Sequence, residues 1–375
     1  MGGRDMDSPK SDKFTLSPIH LFFLLYVSLV GAGLMDFQRY VSASSGQDGW
    51  IAVLAASLFV VLMIWMMYGI LSRQAPPGAN LVDVNRRYFG KAIGAALNVC
   101  FVVYFLWGAF VTLRFYLQVI EVWIFPEMNQ WPLVICIFAL LYYTVSGGIQ
   151  TVAGICFWGT LSIFLFVLPQ CLPVLPYLHP HNMTPVLDHS AAELFDSTRL
   201  MARQFLGCLV LMAVFPYIKE GGRSSKWSYG AAGAAAFIYI LMLLLALMYF
   251  SPQQLKETVW PTLSVVSIIH VPLMQRLEYV VLNMWLLKMV SNISVGLWAA
   301  CHSLKQQLRI RPRISLAGAL IGFLILFYLV DDPGDTRRII SLYMKTGEYL
   351  VFAYIPIVFV ISRFSGKTGT SQVGK

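Results

Sequence analysis

Three ionisable residues sit inside long apolar stretches of this sequence: Arg114, Glu278 and Lys288. Charged groups within a bilayer are costly, and where they occur they mark substrate contacts, ion paths or proton relays. At 100° per residue, Glu278, Trp285, Lys288 and Asn292 fall within about an 80° arc of one helix. Tyr104, Trp107, Arg114 and Gln118 fall within a similar arc of another. Two polar and aromatic stripes of this kind should face the interior of a helical bundle. Arg114 lies about 9 residues from the outer end of its apolar stretch and Glu278 about 6 from the outer end of its own, depths that agree within about one turn. An Arg114–Glu278 ion pair is therefore within geometric reach, the alternative being that backbone or water satisfies each group. Lys288 lies nearer the middle of its stretch and is followed by Ser291, Asn292 and Ser294. A fixed ammonium there could take the place of a bound cation, or its head could reach water on the inner side.

These residues need membrane helices to position them. The 375 residues are 58% hydrophobic and 12% charged, against about 45 to 50% and about 25% for soluble domains. A spanning helix takes about 20 apolar residues. Ten candidate spans appear, at 15–36, 50–71, 92–123, 131–146, 149–175, 200–218, 228–250, 272–302, 314–330 and 346–362. They leave polar tails at 1–14 and 363–375, short loops and no room for a soluble catalytic domain, so the chain is not expected to be an enzyme. An even number of spans places both termini on one side. With that side cytoplasmic, 17 of the 27 basic residues lie inside and 8 outside, counting Arg203 and Arg276 at the outer ends of their spans with the outer side, and Arg114 and Lys288 are left deeper within spans, the asymmetry that the positive-inside rule requires.

The spans are unequal. The third and eighth run to about 30 residues, roughly 45 Å, and must tilt or protrude. Span one is interrupted by Gly31, Ala32 and Gly33; span six carries Gly207 near its middle and Pro216 near its end. In a chain of two five-helix repeats, at about 15–175 and 200–362, spans one and six correspond. Paired interruptions of this kind point to a transporter-type site near the membrane midplane, although glycine also serves close packing in ordinary spanning helices.

Other patterns carry little. Gly366-Lys367-Thr368 resembles the end of a phosphate loop, but Ile361 stands where the earlier glycine is required. His179 and His181 flank Pro180 without further ligands at metal spacing. HExxH and GxSxG are absent. The six cysteines form no CxxC and read as packing residues. No cofactor and no nucleic acid partner is expected. The first apolar run lacks a small-residue cleavage site, so it is expected to be retained as a helix.

From Pro272-Leu-Met-Gln-Arg-Leu-Glu278 to Trp285 the sequence resembles the B subunits of spore germinant receptors. Further likenesses are Asp48-Gly-Trp50, Tyr104-Phe105 with Arg114 after it, Gly147-Gly-Ile149 and Phe215-Pro216; together they extend over nearly the whole chain. At Gly33-Leu-Met-Asp36-Phe-Gln the chain is polar where that family carries a hydrophobic, proline-bearing segment. The resemblance implies an all-α amino acid/polyamine/organocation (LeuT-type) transporter fold, ten helices in a 5+5 inverted repeat with helices one and six broken around a small-molecule site. It further implies nutrient detection in the inner membrane of a dormant bacterial spore, with a germinant receptor A subunit and a lipoprotein C subunit as partners.

On that basis the expected ligand is a nutrient such as an amino acid. Its carboxylate would meet the amides near Gly31, Ala32 and Gly33, and its side chain would lie among Tyr104, Trp107, Gly108, Gly207, Leu211 and Trp285, with Arg114, Glu278 and Lys288 as the charged groups. Two other functions fit the same residues: a proton-coupled amino acid permease using Glu278 or Lys288, and an inert membrane scaffold for partner subunits.

Overall fold

The computed structural model describes residues 16–72, 80–124, 129–219, 221–267, 277–330 and 332–364. Both tails, and most of the Pro272–Glu278 motif, lie outside the described residues. The chain is all helical: α1 (Pro18–Leu29), α2 (Phe37–Ser45), α3 (Gly49–Leu71), α4 (Leu81–Trp123), α5 (Trp131–Ser146), α6 (Ile149–Ser162), α7 (Leu168–Val174), α8 (Ala191–Ala202), α9 (Val210–Val214), α10 (Ser225–Tyr249), α11 (Pro252–Glu257), α12 (Pro261–Val266), α13 (Leu277–Leu308), α14 (Pro312–Leu329), α15 (Pro333–Phe352) and α16 (Tyr354–Phe364). Among the described residues, seven helical stretches are long and apolar enough to cross a membrane, and three shorter apolar helices, Pro18–Leu29, Trp131–Ser146 and Ile149–Leu165, accompany them. Large apolar side chains such as Leu58, Tyr143, Phe195 and Tyr328 are exposed on the outside of the bundle, a surface suited to lipid rather than water.

Local chemistry sets the ends of these elements. At the start of α4 the Asn80 side chain accepts from the Asp83 amide at 3.1 Å, and the Asp83 carboxylate accepts from the Asn80 amide at 3.2 Å, a reciprocal cap. Hydropathy alone starts this span at 92, whereas the helix begins at Leu81. Gly90, at φ +76°, breaks the path, so a polar helical stretch carrying Arg86 and Arg87 precedes the apolar one. Glycine adopts that backbone conformation without a Cβ clash. The helix α2 was also outside the expected spans: Gln38, Arg39, Ser42 and Ser45 lower its hydropathy, yet Phe37, Gln38, Val41 and Ser42 are buried.

The helix α1 ends at Leu29, Val30 and Gly31 are non-helical, and a 3₁₀ turn, Ala32–Met35, leads to α2. After α8 the path stays helical over Ala191–Tyr217, passing through a 3₁₀ segment, Arg203–Leu209, the single turn of α9 and a second 3₁₀ turn, Phe215–Tyr217, at Pro216. Centrally, α13 packs on α4, α5, α6 and α1, while α1 packs on α10, α6 and the 203–209 segment. The buried Asp48 carboxylate accepts from the amides of Leu187 at 2.7 Å, Asp188 at 2.9 Å and His189 at 3.3 Å, fixing the 187–189 loop to the α2–α3 junction.

Candidate functional site

A helix that stops inside a bundle leaves its last carbonyls without intrahelical donors, and the carbonyl end of the helix carries partial negative charge. Here α13 answers that need. Lys288, fully buried, donates from Nζ to the Val27 carbonyl at 2.7 Å, and Asn292, one turn on, donates from Nδ2 to the same oxygen at 2.9 Å. The two donors are four residues apart and so share one face of α13. The remaining polar residues of that helix bind elsewhere. Ser291 Oγ donates to the Ile155 carbonyl at 2.8 Å, and Ser294 pairs with Thr144 at 3.1 Å, tying α13 to α6 and α5.

On the opposite side of α1, the Tyr239 hydroxyl of α10 donates to the Leu29 carbonyl at 3.3 Å. Its ring meets Phe37 of α2 and Phe205 edge-on, at 4.9 and 5.3 Å between centroids. Tyr239 thus braces both sides of the interruption and the 203–209 segment together. Sequence reading did not single it out, because one tyrosine in an apolar span has no periodic partner to mark it.

Backbone meets backbone at Gly207. A Cβ there would overlap the Ser28 carbonyl, so only glycine lets the 203–209 segment approach the last turn of α1 this closely. Gly33 faces the side chain of Gln204, which occupies the position a Cβ would take. Gly31 faces open space, with nothing within 4 Å of an added Cβ. The structure therefore gathers Gly31, Ala32, Gly33 and Gly207 at one place, with Leu211 buried just below on α9. Gln204 is a further contact that the glycine pattern did not reveal.

Tyr104, Trp107 and Gly108 of α4 form a different wall. Tyr104 stacks on Tyr343 of α15 at 4.9 Å and 15°, and Trp107 meets the same ring at 5.9 Å. A Cβ at Gly108 would lie 2.6 Å from the Tyr343 hydroxyl, so Tyr343 fills the hollow that the glycine creates. Trp285 is buried on α13, one turn before Lys288, and its indole Nε1 has no hydrogen-bond partner among the described residues; nor does the buried Tyr26 hydroxyl, next to Val27. Buried polar groups in proteins are nearly always paired, which sets these two apart from the bonded groups around them.

Among the described residues, Arg114 and Lys288 bind different elements. Arg114, 5% exposed, donates from Nε to Thr336 Oγ1 at 3.2 Å and lies over the Phe327 ring at 4.9 Å. It joins α4 to α15 and α14, whereas Lys288 serves α1. The side chain of Glu278 lies outside the described residues. A cleft of about 370 Å³ between Tyr177, His179, Tyr249, Phe250, Gln254 and Thr258 opens at the rim of the bundle and involves none of these groups.

Residues 15–336 match the model of a family described as spore germination protein. The chain is 29% identical over 353 residues to the spore germination protein GerQB of Bacillus cereus, covering 93% of this chain and 96% of that protein. It is 22% identical over 369 residues to YndE, a spore germination protein of Bacillus subtilis, covering 95% and 97%. Among solved structures it is similar to Mhp1, a nucleobase-cation-symport-1 family transporter, with a TM-score of 0.62 at 12% identity over 95% of this chain and 80% of that one. It is also similar to a Na⁺-coupled sialic acid symporter, with a TM-score of 0.64 at 12% identity over 93% and 80%. The fold is that of LeuT-type transporters.

Proposed function

The chain belongs to the spore germination protein family, and from that premise we propose that it is the nutrient-sensing B subunit of a germinant receptor, built on a transporter scaffold of ten helices in two inverted repeats, about 15–175 and 200–362. It is an integral membrane protein; its place is the spore inner membrane, with both termini cytoplasmic and with an A subunit and a lipoprotein C subunit as partners. The observation that carries this reading is the close approach of Gly207, in the 3₁₀ segment after α8, to Ser28, in the last turn of α1 before that helix stops inside the bundle, beside a buried lysine that holds the Val27 carbonyl.

The ligand is an amino acid or a similar zwitterion. The amides of Ala32 and Gly33 open a 3₁₀ turn, where the first N–H groups have no acceptor within the turn, and they suit its carboxylate. Trp107, Leu211 and Trp285 supply apolar surface for its side chain. Lys288 is a built-in cation, an ammonium held on the α1 carbonyl, in a fold similar to that of a Na⁺-coupled symporter. Ligand contact with both interrupted segments favours one of their arrangements, by as much as its affinity differs between the two, and the A subunit receives that change.

The test is binding of labelled amino acids to the purified protein and to Gly31→Trp. Because Gly31 faces open space, the indole has room without unfolding the chain, and binding should be lost. Equal binding to both proteins would remove the site from this place. The transporter fold favours a second reading, a proton-coupled amino acid permease. Uptake into proteoliposomes under a pH gradient separates the two: flux supports the permease, and binding without flux supports the receptor. If nutrient specificity is indifferent to substitution at Trp107, the chain is only a scaffold for its partners.

A further inference from the structure

Glu348 of α15 is 14% exposed, and both its oxygens are engaged. Arg203 donates to it from Nη2 at 2.7 Å and from Nε at 2.9 Å, and Arg199 donates from Nε. The two arginines are four residues apart, so they rise on one side of the α8 helix and its 3₁₀ continuation. One carboxylate thereby holds α15 to the interrupted segment that carries Gly207.

One residue before Glu348, and one turn further back, α15 carries Gly347 and Tyr343. On α4 the same spacing appears as Tyr104 and Gly108. The fit is reciprocal. The Tyr343 hydroxyl occupies the space beside Gly108, and the Tyr104 hydroxyl occupies the space beside Gly347, together with Leu206 Cδ1 at 2.7 Å from an added Cβ. Since the two residues of each pair lie one turn apart, two antiparallel helices that cross here can each seat a tyrosine on the other's glycine. The helix α15 thus touches both walls of the site, α4 through Tyr343 and the 203–209 segment through Glu348, and its main packing partners are those two elements and α16.

These contacts differ in what holds them. The tyrosine fit is a matter of shape, while the carboxylate clasp reaches water, with the Arg199 side chain 44% exposed. Water can replace such an ion pair at little cost, so this part of α15 can be released at its solvent edge while the buried Arg114–Thr336 bond near the start of the helix is kept. We propose that α15 is the closing element of the site, with the Arg199–Arg203–Glu348 clasp as its latch and Tyr343 as the lid residue that limits the size of the ligand side chain accepted beside Gly108. This rests on the reading that the space between α4 and the 203–209 segment takes a small molecule.

The test uses the full chain in proteoliposomes with Leu206→Cys, a position 3% exposed, and a membrane-impermeant maleimide, scored above the labelling of the parent protein. Glu348→Gln should raise the labelling rate about tenfold, the expected scale for a modest shift between closed and open populations. The exchanged pair Arg203→Glu with Glu348→Arg should return it toward the starting value. Tyr343→Ala should shift binding preference toward amino acids with larger side chains. Unchanged labelling in a Glu348→Gln protein of normal melting temperature would overturn the latch, and an unchanged size preference in Tyr343→Ala would overturn the lid. If labelling responds as expected while wild type binds no labelled amino acid, the latch stands and the sensing function falls.

Discussion

The two ends of the bundle are closed by different chemistry. At one, a single carboxylate meets two arginines at the edge of solvent. At the other, where the Leu16 amide donates to the Tyr217 carbonyl at 2.7 Å and the Lys219 amide donates to the Leu16 carbonyl at 2.9 Å, closure is spread over many groups, most of them uncharged, with Arg86 donating to the Gln307 side chain at 2.9 Å. Tyr217 pairs with His302 of α13. Asn80 donates to Gln306 at 2.5 Å, Asn98 to Gln307 at 3.1 Å, and Asn85 to Asn98 at 2.7 Å. Tyr354 of α16 donates to Asn85 at 2.5 Å. A latch of one acid fails when that acid is neutralised or screened. A network of many, mostly neutral bonds loses one member at a time, and its buried groups cannot fall back on water. The arrangement suits a protein that must open readily toward ligand on one side while the other stays shut.

Gly207 packs directly on the Ser28 backbone, so the largest effect should come from there. Gly207→Leu should destabilise the protein by about 3 kcal/mol or more, because a side chain has to displace backbone rather than another side chain; thermal unfolding in detergent reads this directly. Next is the cation between the ends. Lys288→Met keeps the length but leaves the Val27 carbonyl to Asn292 alone, and should cost about 2 kcal/mol of stability and abolish amino acid binding. A variant that melts lower yet binds normally would make Lys288 a structural strut only.

Smaller effects separate the ends themselves. Tyr354→Phe removes one donor of the neutral network and should cost about 1 kcal/mol, with little response to salt. Raising ionic strength should instead increase labelling of Leu206→Cys at the opposite end, since screening acts on exposed charges. The smallest change is expected from Arg199→Gln, below about 1 kcal/mol, because Arg203 retains two bonds to Glu348. If Tyr354→Phe proves as salt-sensitive as Arg199→Gln, the contrast between the ends is not real.

Much of the site could be seen in the chain before folding. Lys288 and Asn292 lie on one helical face by periodicity, and Gly31 to Gly33 and Gly207 interrupt apolar runs. Tyr104 and Trp107 share a stripe. Tyr239, Gln204, Tyr343 and Glu348 could not be found that way. Each gains its place only from a partner far along the chain, and Arg199 and Arg203 look like ordinary charges near a loop until Glu348 arrives between them. Arg114, an obvious candidate by its depth, binds Thr336 and Phe327.

The sequence by itself determined that this is a bundle of membrane helices, because hydropathy is a property of segments, and it marked where α1 stops, at Gly31 to Gly33, because glycine weakens a helix locally. Which groups fill the gap so created was decided only by the tertiary structure. A carbonyl freed at Val27 can be satisfied by any donor that packing brings near, and packing brought an ammonium from the other half of the chain.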